Sequence, residues 1–192
     1  MIQRAIELGQ TVVFAFLSYK HREAATKLGI LHSFLFQLLQ DHRQLRPVLI
    51  NAYESNYRQL QSSTKFVGEL LRDVISAIVS VTFLVVDGLD EIDGTERQAL
   101  LGILLELSNG CSNLRLWVSS RDETDISRLI RQKAEVVSVG DRNKHDIKLY
   151  VDAMSEKLLS EIDIDPPTAL EIGGLIQDIP QKAGGNYPLS TL

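Results

Sequence analysis

The stretch Phe83–Asp93, FLVVDGLDEID, decides how the chain reads. Four apolar residues, Phe83 to Val86, run into Asp87, then a small residue, Gly88, then acidic groups at Asp90 and Glu91. A short run that is apolar on both faces fits a strand of a parallel sheet. Such a strand delivers its last side chains to the carboxyl edge of the sheet, where ligands bind in open α/β folds. A carboxylate there, Asp87, can hold Mg²⁺ through water, because this hard cation takes oxygen ligands and keeps much of its hydration shell. A second carboxylate close by can orient or deprotonate a water that attacks a phosphoryl group. Gly88 leaves space beside them. Aspartates at strand ends also cap helices and favour turns, so the acidic run by itself leaves both readings open.

Outward from this stretch, three further runs read as strands: Thr11–Leu17 (TVVFAFL), Leu114–Arg121 (LRLWVSSR) and, more weakly, Glu135–Gly140 (EVVSVG). Helical spacing holds for Leu28, Leu31, Leu35, Leu38 and Leu39, and again for Phe66, Leu70, Val74 and Ile78. Thr95 with Gln98 suggests a capping box ahead of Ala99–Leu107. Asp141 can cap a helix whose stripe is Ile147, Tyr150, Val151, Met154 and Leu158. Pro166–Pro167 opens a last helix from Thr168 to about Lys182. Strands separated by helices predict an α/β three-layer sandwich with a mostly parallel sheet and right-handed crossovers. The dense run Ile30–Leu39 is apolar nearly all round, which fits either a buried helix or a surface for a partner domain.

Composition excludes some classes. With 192 residues, 44% of them hydrophobic and 23% charged, the chain can build a core. A formal net charge of −5 gives no global reason to bind nucleic acid or an anionic membrane. Cys111 is the single cysteine, so no intramolecular disulfide or Cys-based zinc site forms, and a reducing compartment is the simpler reading. There is no apolar run of the ~20 residues a spanning helix needs and no signal-peptide core, so a cytoplasmic protein is expected. His21, His32, His42 and His145 lack metal-ligand spacing, and Ser119 and Ser120 have no paired histidine in a nucleophile motif.

VVDGLDE, Val85–Glu91, is similar to the Walker B motif of NACHT-type signalling NTPases, and the fungal and nephrocystin-like N-terminal branch resembles the chain most. Other strings resemble that branch in the same order. Phe16–Leu39 (FLSYKHREAATKLGILHSFLFQLL) is similar to its segment after the second strand, and Leu114–Ile126 (LRLWVSSRDETDI) to its sensor strand. Asp146–Val151 (DIKLYV) is similar to the start of its next helix, and Lys182–Asn186 (KAGGN) to the close of its helical lid. The resemblance implies a P-loop NTPase-like fold, with residues 1–140 as a partial α/β core and 141–192 as the start of a helical lid. It implies Asp87 as the ligand of a Mg²⁺-bound water, and Asp90, then Glu91, as water-polarising groups. Arg121 would be a γ-phosphate sensor, for which a permanently charged planar fork is suited. The alternative for Arg121 is a surface salt bridge to Asp122, Glu123 or Asp125. Pro188 is set against the proline that packs on the nucleotide base, with one extra residue between it and Asn186.

The family holds its nucleotide in a loop of the form G-x-x-x-x-G-K-S/T, whose backbone N–H groups cradle the phosphates. None of the 12 glycines here is followed by lysine. Ile2–Leu8 resembles the end of the helix that follows that loop, so the expectation is a fold lacking its first strand and phosphate loop. Mg²⁺ and ATP are the family's cofactors, and Asp90 and Glu91 are expected to be vestigial here. The missing strand would leave the Val136–Val139 strand as the least secure element. Two functions follow: a fragment of a NACHT-type nucleotide switch without ATPase activity of its own, or a non-catalytic module that pairs with a complete NACHT protein. Self-association or a partner protein is expected in either case.

Overall fold

In a computed structural model of the chain, the described residues are 7, 9–18, 20, 25–131, 133–137 and 144–161, with isolated positions at 168, 172, 174 and 176. The chain divides into two compact units, Met1–Ala134 and Glu135–Leu192. The described elements of the first unit run β1 (Thr11–Phe16), α1 (Lys27–Asp41), α2 (Arg46–Ser62), α3 (Thr64–Ser76), β2 (Thr82–Asp87), α4 (Gly94–Gly110), β3 (Leu114–Val118) and α5 (Thr124–Ile130). The three strands form one sheet in the order β1-β2-β3, and both pairings are parallel. The strand containing Phe83 lies in the middle. Phe14 sits opposite Val85, which in turn sits opposite Trp117, and Phe16 sits opposite Asp87.

Local chemistry sets where the helices begin. The Thr26 hydroxyl accepts from the Gly29 N–H at 3.1 Å and the Ser63 hydroxyl from the Phe66 N–H at 3.2 Å, which caps α1 and α3. The cap of α4 differs from the expected Thr95–Gln98 box. Asp93 is the cap, accepting from the Thr95 N–H at 2.8 Å, and Gln98 instead donates to Asp125 at 3.2 Å. A carboxylate two residues earlier is an anionic acceptor at the positive helix end, and it takes the hydroxyl of Thr95 as well. Pro47 opens α2, where its fixed φ and missing N–H do no harm. That helix kinks at Asn56 and buries only Ala52.

Strand alternation divides the apolar residues between two faces. Val13, Leu84, Val86 and Leu114 share one cluster with Leu31 and Phe34 of α1, Leu71 and Ile75 of α3, Leu101 and Leu104 of α4, and Ile126 of α5. The run Ile30–Leu39 is thus mainly a buried helix, although Phe36 is exposed. On the opposite face Val12 and Val85 form a separate small cluster with Phe83. There Phe14, Phe16 and Trp117 are 39%, 64% and 49% exposed. The described helices of this unit that share the core therefore make one layer against one sheet face, and no described helix of this unit shares a cluster with the other face, so the described residues form two layers of the expected three. Apolar residues on both faces of a strand signal a sheet, but they do not show that both faces are covered. Two histidines act in packing: His32 Nε2 is 2.8 Å from the Leu60 carbonyl and His42 Nε2 is 2.8 Å from the Thr11 hydroxyl.

In the second unit, α6 (Lys144–Glu161) buries Ile147 and Val151 of the expected stripe, while Tyr150 is exposed. The expected strand at Glu135–Gly140 is not formed over Glu135–Val137, where Val136 and Val137 are exposed, and 138–140 lie outside the described residues. A strand needs a neighbour for its backbone groups, and β2 is the one described strand that pairs with β3. Asp141, Pro188, most of Thr168–Lys182 and the segment 1–6 also lie outside the described residues. No described helix is long and apolar enough to cross a membrane.

Candidate functional site

The carboxyl ends of β2 and β3 meet because the strands are parallel neighbours, so Asp87 and Arg121 emerge at the same sheet edge. After Asp87 the chain turns at Gly88, which has φ +75°, and enters a single 3₁₀ turn, Leu89–Glu91. Only glycine takes this left-handed conformation without cost. Backbone bonds stitch the turn to β3. The Ser119 N–H donates to the Val86 carbonyl at 2.8 Å, and the Leu89 N–H donates to the Ser119 carbonyl at 3.0 Å. The Ser119 hydroxyl donates to Asp87 Oδ1 and accepts from the Gly88 N–H at 3.1 Å.

Asp90 and Glu91 converge on Arg121. The Arg121 N–H donates to Asp90 Oδ1 at 2.9 Å and its Nε to Asp90 Oδ2 at 2.6 Å, while a terminal nitrogen donates to Glu91 Oε1 at 2.9 Å. The Asp90 side chain is only 5% exposed, against 58% for Arg121. Burial pushes the Asp90 carboxyl up, but the hydrogen bonds from Arg121 outweigh it and the carboxyl lies below the ordinary aspartate value. Of the acids set against Arg121 as surface partners, Glu123 and Asp125 are bound by Arg97, and Asp122 accepts from the Ser127 hydroxyl at 2.7 Å. Arg97 of α4 grips Asp125 through two bonds of 2.7 Å, touches Glu123 at 3.4 Å, and donates to the Asp90 carbonyl at 3.3 Å. Those bonds hold the Asp125 carboxyl down at about 2.

This arrangement has a consequence in acid. Asp90 and Asp125 both titrate below their unfolded values, so the unfolded chain binds more protons in that range. Their stabilisation is complete above the unfolded value of about 4 and is lost as pH falls through the lower folded values. Denaturant midpoints measured from pH 6 to about 2 should therefore fall most steeply below about pH 4. Asp125→Asn should lower the midpoint at neutral pH and flatten that fall. An unchanged acid slope in this variant would show that the Arg97 pair does not contribute it.

The structure thus brings together four of the five residues the sequence singles out, Asp87, Asp90, Glu91 and Arg121, and the fifth, Pro188, lies outside the described residues. Sequence reading missed Ser119 and Arg97. Ser119 directly follows an apolar strand beside an acidic one, a position that could have marked it; nothing in the local pattern marks Arg97. As a metal centre the edge is incomplete by itself. Asp87 keeps one oxygen clear of Ser119, while Asp90 and Glu91 are engaged by Arg121. Among the described residues no group of three or more His, Cys, Asp or Glu is arranged to hold a metal ion. Magnesium needs few protein ligands where phosphate oxygens supply the others, so Asp87 fits a Mg²⁺–phosphate pair rather than a free ion.

A small parallel α/β unit with an acidic strand end closed by arginine is the class these observations define. Comparison with family models gives a match over residues 1–121 to the family described as Nephrocystin 3, N-terminal, and the chain belongs to that family. The curated proteins yield no match, and neither do the solved structures.

Proposed function

We propose that this chain carries the acidic, metal-facing half of a NACHT-type, P-loop nucleotide switch, and that it does not hydrolyse ATP on its own. The observation that supports this reading is the meeting of Asp87, Asp90, Glu91 and Arg121 at one carboxyl edge of a parallel sheet. In such a switch Mg²⁺ and ATP supply the phosphoryl group and the neutralisation of its charge. Asp87 would orient a metal-bound water, held in direction by Ser119. Asp90 and Glu91 keep Arg121 at the edge, and in their present pairing they are vestigial as bases. The sequence has no Gly–Lys pair to cradle phosphates, so no hydrolytic step is assigned to these residues. A cytoplasmic location belongs to the same proposal.

Titration with labelled ATP, with and without Mg²⁺, tests it. The expected result is no saturable binding tighter than about 1 mM, a standard free energy of about −4 kcal/mol. Micromolar, Mg²⁺-dependent binding would overturn the claim of incapacity. If such binding were also unchanged in Asp87→Ala, the role given to Asp87 would fall with it. A second reading, a non-catalytic module that modulates a complete NACHT protein, draws support from the engagement of Asp90 and Glu91 by Arg121. It requires partner binding that survives both Asp87→Ala and Arg121→Ala.

A further inference from the structure

The two sheet edges are defended differently. On β3 a charged residue, Arg115, folds back with bonds of 2.9 Å to the Ser112 and Leu114 carbonyls. The β1 strand, TVVFAF, has no charge, proline or bulge, the usual devices that keep an edge from pairing. In its parallel ladder Thr11 and Leu17 direct their N–H groups toward the β2 side, to the Val81 and Asp87 carbonyls. By alternation Val12, Phe14 and Phe16 turn their N–H and C=O groups outward. The side-chain amide of Gln37 on α1 occupies the middle of that row. Its Oε1 accepts from the Phe14 N–H at 3.0 Å and its Nε2 donates to the Phe14 carbonyl at 2.9 Å. These are the two bonds that a residue of an added antiparallel strand would make. On either side, the outward peptide groups of Val12 and Phe16 have no partner among the described residues.

We infer that this edge is a dimerisation surface for a second copy of the chain, in which the two β1 strands pair antiparallel about Phe14 and Gln37 swings aside. The edge is complementary to itself. With Phe14 on a twofold axis, Phe14 faces Phe14 of the other copy and Val12 faces Phe16, all on one sheet face. Each copy then meets apolar side chains where Phe14 and Phe16 now stand exposed, their rings 5.3 Å apart. Such cross-strand aromatic and β-branched pairs stabilise sheets, and an isologous contact closes at two copies. The groove between β1 and α1 has Phe14 and Phe16 on one side and, on the other, Gln37 and the small residues Ala25, Gly29 and Ser33 at four-residue spacing, and no charged side chain lines it. That lining lets the α1 helices of the two copies approach closely and offers nothing that selects a charged partner. The result is a continuous six-stranded sheet. The inference does not depend on nucleotide binding.

Sedimentation of the full chain over a micromolar to submillimolar series should show a monomer–dimer equilibrium. Phe14→Lys sets two like charges opposite each other and should weaken the dimer about tenfold or more. Gln37→Ala removes the competing amide and should tighten it about tenfold. Under mild oxidation Phe14→Cys should cross-link across the axis, since strand partners lie within the ~4.4–6.8 Å Cα range of a disulfide, whereas Trp117→Cys should not. The native Cys111 is buried and does not compete. A wild-type chain that stays monomeric, a dimer weakened by Gln37→Ala, or cross-linking at Trp117 in place of Phe14 would each overturn the proposal. So would an edge that accepts only a foreign extended peptide. The wild-type and Gln37→Ala measurements decide the matter even if Phe14→Lys does not fold.

Discussion

Gly88→Val is expected to destabilise the chain by about 3 kcal/mol or more, from left-handed backbone strain and steric overlap together. The residue holds φ +75°, and a Cβ added there would lie 2.9 Å from the Leu17 carbonyl oxygen and 3.3 Å from Glu91 Cγ. The glutamate can rotate away, but Leu17 cannot, because its own N–H is fixed on the Asp87 carbonyl at 2.9 Å. Relief must come from moving the Gly88 turn, which also carries the bonds to Ser119 and sets the position of Asp90. Urea denaturation should show a lower midpoint with an unchanged slope. A loss below about 1 kcal/mol would mean that the turn is free to adopt another conformation.

The second large effect is expected at Phe34→Ala, a loss of about 3–5 kcal/mol. Phe34 is fully buried and shares its cluster with Val13 of β1, Leu71 of α3 and Leu104 of α4. Removing the ring leaves a cavity where the helical layer meets the sheet, and rigid neighbours refill it only in part. Against a usual total of about 5–15 kcal/mol, this is enough to depopulate the native state in mild denaturant. Calorimetry or urea melts measure it directly. A loss under about 2 kcal/mol would show that α1 repacks into the gap.

The strands β1, β2 and β3 were legible because each is a short apolar run broken by turn-forming residues. The gathering of Asp87, Asp90, Glu91 and Arg121 was legible for the same reason, since parallel neighbours end together. The partner of Arg121 was not. Three acids follow it within four residues, yet it pairs with two that precede it by about thirty. Choosing between them depends on which helix brings a competing cation, and Arg97, partly buried on α4, takes Asp125. The Asp93 cap was hidden by Thr95, an equally good capping residue two positions on. Exposure of Phe14 and Trp117 could not be read at all, because hydropathy records what a face prefers and not what lies against it.

The acidic edge sets three carboxylates, Asp87, Asp90 and Glu91, against one guanidinium. A lone anion arriving there meets net repulsion, and a lone divalent cation finds one carboxylate that is not held by arginine. Arriving together, each cancels the obstacle to the other: the cation offsets the surplus negative charge, and the anion completes the cation's oxygen shell. On the reading proposed above, their coupling free energy would be favourable and shared equally between them. On that reading, such an edge would discriminate a cation–anion pair from either ion alone, a preference that charge balance sets without any requirement for tight binding.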